Sequence, residues 1–273
     1  MSAALGGRLV LVGAGKMGGA LLEGWLRSGI DASKVVTLDP SPPDEMKEII
    51  ARHGFRHNPD VRSIEDAQVV LIAVKPQIMD EVLTSLAGLK SSMPLVISVV
   101  AGKTIASIEK HFGADACIIR TIPNTPAAIG RGITTMAANR NVSRDQLRLA
   151  TDLLSAVGEV VRVEDEWLID AATAVAGSGP AYVFYLTECL ARAGAEAGLP
   201  PDLAMQLARA TVAGAGELMR VSGLPAETLR QNVSSPKGTT HAALQVLMGE
   251  NGLAPLMVKA VDAAARRARE LAG

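Results

Sequence analysis

Aromatic side chains are nearly missing from this sequence. Three Phe, two Tyr and two Trp make up 3% of 273 residues, too few for the stacking platforms that bind single-stranded nucleic acid. Net positive charge is missing as well. Against 28 Asp and Glu stand 27 Lys and Arg, a formal charge of −1, so there is no basic footprint for nucleic acid. Cysteine is scarce: Cys117 and Cys189 each sit in an apolar segment and read as reduced core thiols rather than a disulfide framework. The four histidines, His53, His57, His111 and His241, form no metal-ligand spacing with Cys or paired carboxylates, so no metal is expected. The uncharged run Ala171–Thr187 is short for a membrane span and is interrupted by Gly177-Ser178-Gly179-Pro180. The first residues show no basic segment followed by an apolar core, hence no secretory signal. The expectation is a cytoplasmic protein that engages neither membrane nor nucleic acid.

What is abundant is apolar and small. Hydrophobic residues reach 48% and mean hydropathy is positive, which for a protein without a membrane span implies a large buried subunit interface. The length allows two modest domains. The most informative stretch runs from Val10 to Trp25. Val10-Leu11-Val12 is a short apolar strand, Gly13-Ala14-Gly15-Lys16-Met17-Gly18 a glycine turn, and Ala20, Leu21, Leu22 and Leu26 repeat at helical spacing. Strand, glycine turn and helix together are the dinucleotide-binding pattern. In it Gly13 permits the tight turn, Gly15 lets backbone N–H groups approach a pyrophosphate, and Gly18 lets the helix lie close on the strand. The unpaired N–H groups and positive dipole of the helix end suit phosphate.

Further strands are expected at Lys34–Asp39, Val69–Val74, Leu95–Val100, Ile133–Ala137 and Glu159–Val163, with helices at Asp44–His53 and from about Ser143. Cys117-Ile118-Ile119-Arg120 reads as leading into a proline-bracketed loop, Thr121–Pro126. Alternating strands and helices with short connections predict a mostly parallel, doubly wound α/β sheet. Asp39, ending the second strand, stands where a ribose-binding carboxylate is expected; it also reads as an ordinary strand-terminal acid beginning a turn. As a ribose ligand it would repel a 2′-phosphate, and Pro40-Ser41-Pro42-Pro43 offers no Lys or Arg to receive one, which favours NAD over NADP. Lys75, before Pro76, lies at the crevice end of a strand or is a solvated loop lysine. The small residues after Val100, Ala101 and Gly102, suit close approach of a nicotinamide ring or a simple turn.

From Trp167 onward no strand is expected. A helix opens at Gly179-Pro180 and runs to about Ala197, apolar on most sides, and the next carries Leu203, Leu207, Ala208, Thr211, Val212, Ala215, Leu218 and Met219 as one stripe. A domain of roughly 110 residues has little with which to bury such helices alone, so packing against a second copy of the chain is expected. Asn232-Val233-Ser234-Ser235-Pro236-Lys237-Gly238-Thr239-Thr240 is then a turn at the mouth of an apolar helix, Ala242–Met248. Its free N–H groups and hydroxyls suit a small carboxylate, although a capped turn looks the same.

The glycine turn, Ala73-Val74-Lys75-Pro76, Asn124-Thr125-Pro126, Gly177-Ser178-Gly179-Pro180-Ala181-Tyr182 and Asn232–Thr240, in this order and spacing, resemble pyrroline-5-carboxylate reductase over nearly the whole chain. The resemblance implies a Rossmann-type dinucleotide-binding domain at 1–163 and an all-α dimerisation and substrate-binding domain at 164–273, forming a homodimer or a larger assembly of dimers. It implies hydride transfer from NADPH or NADH to the imine carbon of 1-pyrroline-5-carboxylate, giving L-proline. On the matching positions, Val12, Gly13, Ala14, Gly15, Lys16, Met17, Gly18, Asp39, Asp60, Ala73, Val74, Lys75, Pro76, Val100, Ala101 and Asn232 would form the cofactor site. Glu166, Ser235, Gly238, Thr239 and Thr240 would hold substrate, with Thr240 the catalytic donor to the imine nitrogen. Three positions depart from the family pattern: Lys237 where a glycine is usual, Asp39 where a small polar residue is common, and Asp60 where an Asn is common. Together they lean towards NADH. A β-hydroxyacid dehydrogenase shares this plan but needs a lysine in a Gly-x-x-x-Lys pattern, which neither Lys237 nor Lys259 satisfies. A nucleotide-sensing dimer without chemistry is the third alternative.

Overall fold

The computed structural model describes residues 5–272, with the side chains of all but 90 and 91. It divides into two compact units, one of residues up to Gly177 together with the last turns from Ala265, the other Ser178–Ala264. In the first, chain order gives β1 (Arg8–Val12), α1 (Lys16–Arg27), β2 (Val35–Leu38), α2 (Asp44–His53), β3 (Arg56–His57), β4 (Ala67–Ile72) and α3 (Met79–Ser85). There follow β5 (Leu95–Ser98), α4 (Ile105–Phe112), β6 (Cys117–Pro123), β7 (Gly132–Ala138), α5 (Arg144–Leu154), β8 (Gly158–Arg162) and α6 (Leu168–Ala172). The second unit holds α7 (Gly179–Glu196), α8 (Pro201–Ser222), α9 (Ala226–Asn232), α10 (Thr239–Leu247) and most of α11 (Leu253–Ala272).

The strands form one sheet in the order β3-β2-β1-β4-β5-β6-β7-β8, parallel throughout except for the β6–β7 pair. Its strands are apolar on both faces because both faces are covered. Leu9, Leu11, Val69, Leu71, Leu95 and Ile97 point to one side, packing with Leu21, Leu22 and Trp25 of α1, Met46 and Ile50 of α2 and Leu153 of α5. Val10, Val12, Val70, Ile72 and Val96 point to the other, against Met79 and Leu83 of α3 and Ile105 and Ile108 of α4. Trp25, fully buried, satisfies its indole N–H on the Leu153 carbonyl at 2.9 Å. Local signals set the ends: Gly54 closes α2 at φ 68°, and Ser143 and Gln146 cap α5 reciprocally.

Two expectations are corrected. Thr121–Pro123 is not loop but the end of β6, paired antiparallel with Thr134–Met136; the proline survives there because it is the last strand residue. Strands β2, β4 and β5 stop one or two residues sooner than their apolar runs, which leaves Asp39, Ala73-Val74 and Val99-Val100 in the connections. Residues 164–177 pack with the first unit, which runs up to Gly177. The reason is Arg120 on β6, whose guanidinium reaches Glu166 Oε1 and Asp170 Oδ1, each at 3.0 Å. Glu166 Oε1 also accepts the Ile105 N–H at 2.8 Å. These bonds fasten α6 and the start of α4 to the sheet. Arg120 is 2% exposed, and its Nε has no partner, so the cluster is a buried charge held by only part of its donors.

The second unit is the reverse of the first. Ala191, Ala204 and Ala208 are its buried apolar residues, while Phe184 is 62% exposed and Leu218 55%. Of the stripe expected on α8, Ala208 is buried within the chain, while Leu203, Leu207, Leu218 and Met219 stay exposed.

Removing one partner of a buried ion pair leaves the other charge stranded. Asp170→Ala is therefore expected to lower unfolding free energy by roughly 3 kcal/mol, read from guanidinium denaturation; a loss below about 1 kcal/mol, the range of surface pairs, overturns the clamp.

Candidate active site

Strand order reverses between β1 and its neighbours β2 and β4, and α/β sheets bind ligands in the crevice outside the carboxyl ends of strands at such a point. Backbone bonds join these ends: the Gly13 N–H to Leu38 O at 2.8 Å, the Ala73 N–H to Val12 O at 2.8 Å, and the Val99 N–H to Ile72 O at 3.0 Å. The glycine turn, Asp39, Ala73–Pro76 and Val100-Ala101 therefore share one edge of the sheet.

The glycines meet different demands. Gly13 has φ 92°, and a Cβ there would stand 2.8 Å from the Ala73 carbonyl oxygen. A Cβ at Gly18 would collide with the Gly13 carbonyl. At Gly15 nothing lies within 4 Å of the built Cβ, so no protein atom requires a glycine; the space is what a ligand would use. Gly15 caps α1 without a side-chain bond, and the first turn carries Lys16 and no acid. Uncapped N–H groups, a dipole end and a lysine suit a pyrophosphate. Val12 and Val100 turn their side chains into the core, each 2% exposed, so they offer the site backbone only. Lys75 is exposed, with no acidic partner among the described residues.

Asp39 is held from both sides. Its Oδ2 accepts the Ala14 N–H at 2.7 Å and its Oδ1 the Ser41 N–H at 2.9 Å. Its own N–H donates to Asn58 Oδ1 and its carbonyl accepts from Asn58 Nδ2, both at 2.8 Å. Asn58 stands at φ 46°, and sequence reading missed it. The signal was a residue tolerant of left-handed backbone directly after a strand and before Pro59. Asp60 is already engaged: its carboxylate takes the Arg62 guanidinium through Oδ1 and Oδ2 at 3.1 and 2.8 Å, together with the Arg62 N–H. That side-chain bond, then the backbone one, holds its pKa down at about 2. The same bond raises the pKa of Arg62, which keeps its charge paired with the carboxylate.

In the second unit Ser235-Pro236-Lys237-Gly238 forms a turn closed by the Gly238 N–H on Ser235 O at 3.0 Å. Pro236 at the second position and Lys237 at φ 62° in the third fit a type II turn, whose third position demands positive φ. Lysine is strained there. A Cβ at Gly238 would collide with the Ser235 hydroxyl. Gly238 caps α10 with no side-chain bond and no acid in the first turn. Because the Gly238 N–H is spent on the turn, the open donors are the amides at the start of α10, Thr239 and Thr240. Neither threonine hydroxyl has a protein partner among the described residues. Asn232, expected in the cofactor site, ends α9 in this same unit. Glu166, expected at the substrate, belongs to the first unit and spends Oε1 on Arg120 and Ile105.

Among the described residues no three His, Cys, Asp or Glu side chains gather as metal ligands, and no helix is long and apolar enough to cross a membrane.

An open glycine cradle at the switch point, followed just past β2 by a fixed carboxylate, marks a Rossmann-type dinucleotide-binding protein. Residues 8–102 match the family described as NADP oxidoreductase coenzyme F420-dependent, and residues 166–271 match pyrroline-5-carboxylate reductase dimerisation. A pyrroline-5-carboxylate reductase of Synechocystis sp. is 40% identical over 97% of this chain and 98% of its own. The solved pyrroline-5-carboxylate reductase of Coxiella burnetii superposes with TM-score 0.91 at 35% identity, covering 98% of this chain and 99% of that one. The Plasmodium falciparum pyrroline carboxylate reductase with NADP bound gives TM-score 0.81 at 28% identity, over 98% and 99%. The chain belongs to the pyrroline-5-carboxylate reductase family and carries its dimerisation domain, so it assembles with copies of itself.

Left-handed backbone costs an L-residue about 1–2 kcal/mol, of which glycine returns part as unfolded-chain entropy. Lys237→Gly is expected to stabilise the protein by roughly 0.5–1 kcal/mol, seen as a higher denaturation midpoint. A lower midpoint would show the turn unstrained.

Proposed function

We propose that the protein is an NADH-preferring reductase of 1-pyrroline-5-carboxylate, acting on a C=N bond to give L-proline. The observation that carries this reading is kinship over the whole length, cofactor unit and dimerisation unit alike, with reductases of that name. When bound, the reduced nicotinamide supplies the hydride taken up by the imine carbon. The amides at the start of α1, with Lys16, hold the pyrophosphate, and Gly15 leaves room for it. Asp39 accepts the adenosine ribose hydroxyls on the lone pairs that Ala14 and Ser41 leave free, and its charge repels a 2′-phosphate. The backbone of Ala73-Val74-Lys75-Pro76 and Val100-Ala101 lines the nicotinamide side, and Asn232, the last residue of α9, is a further cofactor ligand.

The substrate carboxylate is held at the N-terminus of α10 by the Thr239 and Thr240 amides, with the Ser235 hydroxyl beside them and the Lys237 ammonium adding charge. Thr240 Oγ1 donates to the ring nitrogen. That nitrogen gains basicity as its carbon is reduced, so a donor bond there is stronger in the transition state than in the ground state and lowers the barrier. Glu166 serves indirectly, by securing Arg120 and the head of α4.

The test is oxidation of NADH and NADPH, followed at steady state with and without the cyclic imine. Imine-dependent turnover, faster with NADH, is the expected result; binding of cofactor without turnover would make the protein a sensor. Thr240→Val is expected to lose on the order of a hundredfold in kcat, and near-normal turnover would remove Thr240 from the chemistry. Asp39→Ser is expected to move the ratio of kcat/KM values towards NADPH by roughly tenfold, about 1.4 kcal/mol. An unchanged ratio counts against Asp39 as the selector.

A further inference from the structure

We infer that Asn58 is a positioning residue for cofactor choice: its side-chain amide fixes Asp39 in the place from which the carboxylate selects between NADH and NADPH. The inference rests on the proposed role of Asp39.

Strand β3 is two residues long, and its pairing with β2 ends at Thr37–His57. One more backbone bond follows, from the Asn58 N–H to Thr37 O at 2.8 Å. There the chain departs, because Asn58 is left-handed at φ 46°. The ladder nevertheless continues. Asn58 Oδ1 takes the Asp39 N–H, and Asn58 Nδ2 gives to the Asp39 carbonyl. A primary amide has the same acceptor and donor as a peptide unit, so the side chain stands in for the next residue of β3 while the main chain turns away.

The amide is itself oriented. Asn58 Nδ2 lies 3.0 Å from His57 Nε2, and His57 Nδ1 lies 2.9 Å from Thr37 Oγ1. Because Nδ2 only donates, His57 Nε2 accepts, and its Nδ1–H donates to the threonine. Thr37 is buried in the sheet, which anchors the chain of bonds. Asparagine alone among the common residues combines a tolerance of left-handed backbone with an amide short enough for this reach.

The consequence falls on Asp39. Its carboxylate is steered at one end by Ala14 and Ser41, but its backbone, just past the end of β2, has Asn58 as the partner of both its N–H and its carbonyl. Without the amide that peptide is free to move, and the carboxylate no longer holds the two-hydroxyl geometry that ribose requires or the position that repels a phosphate.

Asn58→Gly is the test, since glycine keeps the left-handed backbone and deletes only the amide. The readout is the ratio of NADH to NADPH efficiencies, kcat/KM, with the cyclic imine, and in parallel the ratio of dissociation constants from nicotinamide fluorescence. The ratio is expected to shift towards NADPH by about fivefold or more relative to wild type, the worth of a lost hydrogen bond. It should do so through KM for NADH, with kcat at saturation within about twofold. In an Asp39→Ser background the same change should shift the ratio no further. Equal weakening of both cofactors, an unchanged ratio, or an undiminished shift without Asp39 overturns the inference. The two ratios are taken against wild type, so absence of imine turnover, or a wild type that favours NADPH, would refute the proposed function and still leave Asn58 judged by binding. A circular-dichroism melt of the variant shows that the sheet is intact.

Discussion

Backbone meets backbone between the first turn and the first helix. Gly18 sits where any side chain would strike the Gly13 carbonyl, and Gly13 sits where one would crowd the Ala73 carbonyl. Three segments, β1, α1 and the connection after β4, therefore meet backbone to backbone. That contact aims α1 at the carboxyl edge of the sheet and leaves its first amides uncapped. The same edge gathers the ends of β2, β4 and β5, and with them Asp39, Ala73–Pro76 and Val100-Ala101 of the proposed cofactor site. The fold yields an anion site as a by-product of close packing.

A second constraint is electrostatic. Arg120 lies in the sheet, at the middle of an otherwise largely apolar strand, and offsets its burial by binding two carboxylates from the segment that leads into the helical unit. Such clusters add specificity of arrangement more readily than net stability. Here the arrangement specified is the seat of α6 and of the first residue of α4. A substrate role for Glu166 and this structural one draw on the same carboxylate, and the oxygen used by Arg120 and Ile105 is the same one, Oε1.

Much of this was legible in the sequence because it is local. The strand–glycine–helix pattern, the apolar runs, the Gly54 and Ser143 helix ends and the proline turn before Thr239 are set by neighbours a few residues apart. What escaped depends on pairs distant in sequence. Arg120 meets Glu166 and Asp170 across some fifty positions, and nothing near Glu166 announces it. Asn58 meets Asp39 through a side chain acting as backbone. Apolar runs overstate strand length because the residues just beyond the ladder, Val74 and Val100, remain in contact with the core. The Thr121–Pro123 segment reads as loop through its proline, yet antiparallel pairing with β7 carries it as strand.

The helical unit buries three alanines and exposes Phe184, Leu218 and Val246. A hairpin such as α7–α8 gains too little from its own contacts to offset the ordering of its chain. Association is thus part of its folding reaction rather than a later step. For such a molecule protein concentration acts as a stabilising ligand.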